Sequence, residues 1–279
     1  MFYDYHVHTA FSDDSDYPME DVVRDAIDLG IEELAFTDHV DYGVKDEWDS
    51  PTIRLNHDGE AAVNVAYPAY FARIAELRAA YADCIRLRAG LEFGVQTHTI
   101  GLYEQLFAAW PLDFVLLSIH QVRDIEFWYD GNEFMEGRSQ AAYNDEYYRE
   151  LYDVVCSYKH YSVLAHLDHV RRYDPAGPYP FERNRDVIAA ILEQVIADGK
   201  GIELNTSSFR YGMSDLTPCH EILELHYDLG GRILTVGSDS HAPGHLGSHV
   251  REVQALLKKI GYEGVYAFDR MEPHFVPFD

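Results

Sequence analysis

The first residues of the chain that could do chemistry are two histidines in the sequence His6-Val7-His8. The stretch from Tyr3 to Thr9 alternates like a half-buried strand, so both imidazoles would project from the same face. Two imidazoles on one face form half of a metal site, because histidine is the commonest metal ligand. Histidine is also a common polar surface residue, so this pair alone does not establish a metal site.

Potential metal ligands recur where the other predicted strands end. Strands are predicted over 33–39, 85–92, 113–120, 162–166, 201–207 and 232–241. The side chains at or just beyond the carboxyl ends of the predicted strands are His6, His8, His39, Glu92, His120, His166, Asp239 and His241. In a barrel built from βα units, each strand end points into a common mouth at the C-terminal rim. Imidazole and carboxylate groups there suit zinc, manganese or iron, and a carboxylate such as Glu92 can bridge two ions.

Each of these histidines also has a structural alternative. His120 follows the apolar run from Val115 to Leu117 and could be a core histidine whose ring nitrogens are hydrogen-bonded. Buried polar groups without partners are energetically costly, however, and a ligand cluster accounts for many of them at once. The joint pattern therefore favours a metal centre.

Amphipathic helices separate the strands, which predicts repeated βα units around a parallel sheet or barrel. Helices are predicted over 18–29, 68–81, 101–110, 140–158, 181–197, 218–229 and 250–260. Two long polar segments, 40–57 and 121–139, are predicted as loops, and loops of this length are usually functional or disordered. At 279 residues and 47% hydrophobic, the chain is predicted to form one α/β domain over 1–279.

The composition excludes several classes of partner. The chain has 48 acidic and 22 basic residues, a formal net charge of -26, which disfavours nucleic acid and anionic membranes because both are bound by clustered Lys and Arg. Cys84, Cys156 and Cys219 lie far apart and predict neither a disulfide framework nor a zinc ribbon. No apolar run is long enough to span a bilayer, and His6 leaves no room for a preceding signal peptide. We therefore expect a cytoplasmic protein.

The candidate ligands fall in motifs that resemble one family. The motifs are His6-Val7-His8-Thr9 with Ser12-Asp13, then Thr37-Asp38-His39, Gly90-Leu91-Glu92, Ser118-Ile119-His120, Ala165-His166 and Gly237-Ser238-Asp239-Ser240-His241. In order and position they are similar to those of the polymerase and histidinol phosphatase (PHP) superfamily, and they run from the first predicted strand to the last. The resemblance implies a distorted (β/α)7 TIM-like barrel with three divalent metal ions at the C-terminal rim of its strands.

The resemblance also implies how the ligands are shared. The implied sets are His6, His8, Glu92 and Asp239 for one ion, Glu92, His120 and His166 for a second, and Asp13, His39 and His241 for a third. Asp14 and Asp16 lie close to Asp13, so the sequence leaves open which acid completes the third set. It also leaves open which of zinc, manganese and iron is bound.

Two further segments resemble the histidinol-phosphate phosphatase branch of this superfamily. They are 165–173, which contains Arg171 and Arg172, and 203–210, which ends on Arg210. A planar guanidinium group suits bidentate contact with phosphate, so these three arginines are candidate phosphate-binding residues. The alternative is that they pair with the abundant surface acids.

The predicted reaction is hydrolysis of a phosphate monoester, with L-histidinol phosphate of histidine biosynthesis as the substrate that the resemblance implies. Metal ions lower the pKa of bound water, so that hydroxide can attack phosphorus near neutral pH. The residues predicted to be catalytic are Asp239, His241, Arg210 and Arg171. Acidic and aromatic residues in the loops after His39 and His120 could receive the ammonium and imidazole groups of the substrate.

Two other functions stay open on the sequence alone. One is a hydrolase of the same class that acts on small nucleotides or other phosphoesters. The other is a non-catalytic metal-binding or regulatory module, whose signature would be missing ligands. The sequence does not indicate the oligomeric state, because the tyrosine-rich helix over 140–158 could form a dimer interface or pack on the barrel.

Overall fold

Parallel strands form the centre of the structure, a computed structural model that describes residues 2–129 and 131–278. The strands are β1 (Tyr3–Val7), β2 (Glu33–Phe36), β3 (His39–Val40), β4 (Arg86–Gly94), β5 (Phe114–Ser118), β6 (Gln121–Val122), β7 (Ile125–Glu126), β8 (Val163–Leu164), β9 (Gly201–Asn205), β10 (Leu234–Gly237), β11 (Gly264–Asp269) and β12 (Glu272–Pro277). The α-helices are α1 (Met19–Leu29), α2 (Tyr67–Ala80), α3 (Ile100–Ala109), α4 (Gln140–Ser157), α5 (Phe181–Ala197), α6 (His220–Asp228) and α7 (Val253–Ile260).

The central sheet is a nearly closed barrel. Its strands follow the order β1-β2-β4-β5-β8-β9-β10, and the short strand β3 pairs with β4. The two ends of this path meet beyond β10, where the backbone N–H of His8 donates to the carbonyl of Ser240 at 2.8 Å. The N–H of Ser240 donates in turn to the carbonyl of His6 at 3.2 Å. The predicted α/β barrel is confirmed.

The helices follow the apolar periodicity of the sequence. In α1, Val22, Val23 and Ala26 are buried against the sheet, and the helix ends at Gly30, whose φ of +77° is readily adopted by glycine. The helix α5 has the predicted bounds, and its buried stripe includes Ile188, Ile191, Leu192 and Val195. Among the described residues, no helix is long and apolar enough to cross a membrane.

Several strands end earlier than the sequence predicts. The chain leaves the sheet before His166 and before Asp239, and these two residues have positive φ angles of 24° and 56°. Such backbone conformations are costly for residues other than glycine and cluster at functional sites, where the surrounding structure holds them in place. The departure from strand geometry turns both side chains over the end of the barrel.

The segments outside the βα repeats also differ in detail from the prediction. The segment 121–139 is not a simple loop, because β6 and β7 form an antiparallel pair within its described part. The first long loop extends from the end of β3 to α2, and its two sides are joined where the N–H of Asp46 donates to the carbonyl of Ala62 at 3.0 Å. At the other end of the barrel, β11 and β12 form a hairpin, and Phe268 from β11 packs on Tyr5 and Phe114.

Candidate metal centre

Imidazole and carboxylate groups converge at the C-terminal end of the barrel strands, in a cavity of about 370 Å³. The side chains come from the ends of β1, β3, β4, β5, β8 and β10, because parallel strands all end on the same side of the sheet. His6 and His8 are fully buried, and Glu92 and His166 are almost fully buried.

Glu92 lies at the middle of the cluster and contacts two sets of histidines. Its Oε2 lies 3.1 Å from Nε2 of His6 and 3.4 Å from Nε2 of His8. Its Oε1 lies 2.7 Å from Nε2 of His166 and 3.1 Å from Nε2 of His120. One carboxylate therefore presents a separate oxygen to each set, which is the geometry of a bridging ligand.

Asp239 also contacts both histidines of the first set. Its Oδ1 lies 3.5 Å from Nε2 of His6 and 3.5 Å from Nε2 of His8. The two imidazole Nε2 atoms are themselves 3.0 Å apart. Two ring nitrogens and two carboxylates at these separations are suited to share a cation.

A third set forms beside the first. Oδ2 of Asp14 lies 3.3 Å from Nε2 of His39 and 3.1 Å from Nε2 of His241, and His8 stacks on His241 with ring centroids 4.0 Å apart. Asp13 lines the same cavity, but its Oδ1 pairs with Nζ of Lys45 at 2.7 Å. The acid that contacts the two histidines is thus Asp14, whereas the sequence analysis named Asp13.

Burial and mutual charge shift the pKa values of the cluster in the absence of ions. Burial alone would raise the pKa of Glu92, but His6, His120 and His39 lower it well below the ordinary range. Burial lowers the pKa of His8, and the neighbouring His241 and His39 lower it further. Against the effect of burial, the neighbouring carboxylates raise the pKa of His6, of His120 to about 10 and of His241 to about 9. A metal ion bound to these rings would displace their protons.

The three sets agree with the chemistry of divalent ions. The compact groups of possible ligand atoms include His6, His8 and Glu92, then Glu92, His120 and His166, and then His8, Asp14, His39 and His241, with the atoms of each group within 4.8 Å of one another. Nδ1 of His39 is buried without a hydrogen-bond partner among the described residues, although Oε2 of Glu92 is only 3.2 Å away. This nitrogen faces Glu92, whereas Nε2 of the same ring faces Asp14.

Several supporting residues were missed in the sequence analysis. Oε1 of Glu203 lies 2.6 Å from Nδ1 of His6, and Oδ1 of Asp41 lies 2.8 Å from Nδ1 of His120. The hydroxyl of Ser118 donates to Oε1 of Glu92 at 2.6 Å. The sequence signals for Glu203 were its acidic side chain within the apolar strand β9 and its position at the start of the segment 203–210. His169 also lines the cavity, with its ring centroid 4.3 Å from that of His166.

The three candidate arginines occupy different positions. Arg172 lines the cavity, and its Nη2 lies 2.5 Å from Oγ of Ser207 and 3.3 Å from Oδ2 of Asp239. Arg210 donates to the backbone carbonyls of Ser238 and Asp239 at 2.6 and 2.7 Å, so it supports the turn that carries Asp239.

Arg171 does not face the cluster. Its Nη1 donates to Oδ2 of Asp168 at 2.5 Å, and it lines a separate cavity between α4, α5 and α6. The two adjacent arginines of the short 3₁₀ turn His169–Arg172 thus line different cavities. The structure therefore does not bring Arg171 to the ligand cluster, where the sequence analysis expected it to bind phosphate and take part in catalysis.

Comparisons with known proteins agree with this architecture. A family model described as PHP domain matches residues 4–207. A histidinol-phosphatase from Lactococcus lactis subsp. lactis is 32% identical over 274 residues, which cover 96% of this chain and 95% of the relative. A protein named probable histidinol-phosphatase from Thermotoga maritima is 30% identical over 261 residues and 93% of each chain. The crystal structure of histidinol phosphate phosphatase from Lactococcus lactis, complexed with zinc, L-histidinol and phosphate, has a TM-score of 0.83 and 30% identity, covering 98% of both chains.

Proposed function

The chain belongs to the PHP domain family, and on this premise we propose that it is a metal-dependent histidinol-phosphatase. The observation that carries the proposal is the bridging position of Glu92 between two sets of histidines. A non-catalytic relative is expected to have lost ligands, whereas each ligand set is complete here once Asp14 replaces Asp13.

We assign three divalent ions to these sets. The proposed ligands are His6, His8, Glu92 and Asp239 for the first ion, Glu92, His120 and His166 for the second, and Asp14, His39 and His241 for the third. Zinc is our preferred ion, because the similar crystal structure contains zinc and this ligand set suits it. When bound, such ions act as Lewis acids and lower the pKa of coordinated water, which supplies a hydroxide for attack on phosphorus.

The side chains around the ions orient the ligands and the phosphate. Glu203 and Asp41 hold Nδ1 of His6 and of His120, which directs Nε2 of each ring into the cluster. Arg172 is the cation placed to contact the substrate phosphate, since it lines the cavity beside Asp239. Arg210 is a positioning residue, because it donates a hydrogen bond to the backbone carbonyl of Asp239.

The outer part of the cavity suits a cationic leaving group. Asp58 and Glu60 from the loop after β3, and Glu126 and Trp128 from the segment after β5, line it together with Tyr211. Carboxylates there would receive the ammonium group of L-histidinol phosphate, and the rings would pack against its imidazole. A nucleotide presents no ammonium group and would form no ion pair with these acids.

We also propose a single domain over 1–279, because β1 from the start of the chain joins the barrel beside β10 from its last third. The cytoplasmic location stays a prediction from the composition.

A substrate comparison tests the proposed specificity. Phosphate release is measured from L-histidinol phosphate, from nucleoside monophosphates and from p-nitrophenyl phosphate with one zinc-loaded sample. We expect kcat/KM for L-histidinol phosphate to exceed the others by at least about 100-fold, the effect of roughly 3 kcal/mol of binding to the leaving group. Glu126→Gln should raise KM for L-histidinol phosphate and leave p-nitrophenyl phosphate unchanged. Equal or faster hydrolysis of the nucleotides would assign the site to a different phosphoester.

A further inference from the structure

Lys45 lines the same cavity but is not one of the proposed metal ligands. It lies in the loop between β3 and α2, and its side chain is only 10% exposed. Its Nζ lies 2.7 Å from Oδ1 of Asp13 and 3.0 Å from Oδ2 of Asp41. A buried ammonium group needs such partners, because an unpaired charge away from water is strongly destabilising.

The contact with Asp41 connects Lys45 to the second ligand set. Oδ2 of Asp41 faces Lys45, while Oδ1 of the same carboxylate lies 2.8 Å from Nδ1 of His120. Nε2 of His120 in turn lies 3.1 Å from Glu92. The ammonium group thus fixes the carboxylate that fixes the orientation of the imidazole.

The contact with Asp13 connects the same ammonium group to the third set. Asp13 precedes Asp14, whose Oδ2 lies 3.3 Å from His39 and 3.1 Å from His241. Asp13 and Asp14 occupy a turn outside the sheet, where no strand pairing holds the backbone. The pair between Lys45 and Asp13 therefore anchors the segment that carries Asp14.

The lack of a side chain at Gly94 leaves space for the Asp41–His120 pair. A Cβ atom at Gly94, near the end of β4, would lie 1.9 Å from Oδ1 of Asp41 and 3.0 Å from Nδ1 of His120. The loop is also held at this point, because the N–H of Asp41 donates to Oδ1 of Asn64 at 2.9 Å and the N–H of Lys45 donates to the carbonyl of Asp41 at 2.9 Å. The contact between Asp41 and His120 therefore lies in a part of the cavity that backbone hydrogen bonds hold in place.

The balance of charge gives Lys45 a further role. The described carboxylate residues that line the cavity are Asp13, Asp14, Asp41, Asp58, Glu60, Glu92, Glu126 and Asp239, and the Lys and Arg residues among them are Lys45 and Arg172. Arg172 lies beside Asp239, and Lys45 lies beside Asp13 and Asp41. Without it these two carboxylates would repel each other and move.

We propose that Lys45 is a positioning residue that sets the geometry of two metal-ligand sets at once, through Asp41 to His120 and through Asp13 to Asp14. The proposal rests on the metal centre proposed above. It assigns Lys45 no contact with the reacting atoms.

The test compares Lys45→Met with Lys159→Met. Lys159 also forms an ion pair, 2.5 Å from Oδ2 of Asp198, but it is more exposed and lies outside the cavity. Zinc content after dialysis, zinc affinity by competition with a chelator and phosphate release are measured for both variants and for the unsubstituted protein. We expect Lys45→Met to keep its fold and to bind zinc at the second and third sets about 10–100-fold more weakly, the usual effect of losing a residue that orients ligands. Lys159→Met should match the unsubstituted protein.

Chemical rescue separates positioning from a general structural role. In Lys45→Ala, methylammonium can enter the space left by the side chain and should restore part of the zinc affinity, whereas tetramethylammonium should not. If Lys45→Met does not fold, Asp13→Asn replaces it and should weaken only the third set. Unchanged zinc affinity in Lys45→Met, or a loss that methylammonium does not reverse in Lys45→Ala, would overturn the proposal. Absence of zinc and turnover in the unsubstituted protein would instead count against the proposed function.

Discussion

Oε1 of Glu203 lies 2.6 Å from Nδ1 of His6, and both side chains are completely inaccessible to solvent. The other oxygen of Glu203 accepts the backbone N–H of His166 at 3.1 Å. The buried carboxylate of Glu203 thus contacts the ring of His6, in the first proposed ligand set, and the backbone of His166, in the second. Glu203 was not among the predicted site residues, yet it contacts two of the proposed ligands.

Replacing Glu203 should therefore weaken metal binding without removing a ligand. We expect Glu203→Leu to lower zinc affinity about 10–100-fold, because His6 loses the partner that orients its ring and keeps the proton on Nδ1. Glu203→Gln retains an acceptor oxygen and should lose less. Zinc competition on folded, metal-depleted protein measures both variants, and equal losses would show that the hydrogen bond does not orient His6.

The neighbouring acids Asp13 and Asp14 should behave differently. Asp14→Asn removes a proposed ligand and should abolish binding of one zinc ion per chain, as measured by elemental analysis. Asp13→Asn leaves all proposed ligands in place and should keep the full zinc content, with affinity for the third ion lowered by less than about tenfold. The opposite result, with Asp13→Asn losing the ion, would restore the assignment made from the sequence.

The adjacent arginines form a second matched pair. Arg172→Met should lower kcat/KM about 100-fold, because the phosphate loses a cation beside Asp239. Arg171→Met should leave kcat/KM within about twofold and destabilise the fold by about 3 kcal/mol, since it leaves the buried carboxylate of Asp168 without its charge partner. Steady-state kinetics and urea unfolding distinguish the two, and a large loss of kcat/KM in Arg171→Met would contradict the placement of this residue.

The fold and most proposed ligands could be predicted because they depend on local patterns. The apolar periodicity of α1 and α5 sets their bounds, and the histidines lie where apolar strands end. In a parallel barrel, the position at a strand end determines which side of the sheet a residue occupies. This is why His6, Glu92 and His166 could be placed together although they are far apart in the chain.

The remaining features depend on geometry that no local pattern contains. Asp13 and Asp14 lie in an irregular turn, so neither strand nor helix periodicity says which of them faces the histidines. Arg171 and Arg172 share a short 3₁₀ turn, where a small rotation sends one side chain into the cavity and the other away from it. Glu203 meets His6 across 197 residues of sequence, a contact that only the closed barrel creates.

One histidine outside the site should make stability depend on pH. His226 is fully buried, its Nδ1 lies 2.7 Å from the hydroxyl of Tyr262, and burial, with a smaller contribution from Arg232, lowers its pKa to about 3. The unfolded chain binds this proton below about pH 6.5, so the folded state loses stability as the pH falls from there towards 3. The slope is about 1.4 kcal/mol per pH unit, or about 2 kcal/mol between pH 6.5 and 5.

Substitution of His226 isolates this contribution. His226→Gln cannot titrate, so its free energy of unfolding should fall by about 2 kcal/mol less than that of the unsubstituted protein between pH 7.5 and 5. Urea unfolding of the two metal-depleted proteins at both pH values gives the difference, in which the contributions of the other titrating groups cancel. Equal losses in the two proteins would show that His226 does not stay neutral in the fold.

The most direct test of the central claim measures zinc content and phosphate release from L-histidinol phosphate on the same samples. The protein is assayed as purified, after chelation and after reloading with zinc, beside Asp239→Ala. We predict that turnover disappears with the metal, returns in proportion to the zinc bound, and does not return in Asp239→Ala, which lacks a ligand of the first ion. Full turnover by the metal-depleted protein or by Asp239→Ala would contradict a metal-dependent histidinol-phosphatase.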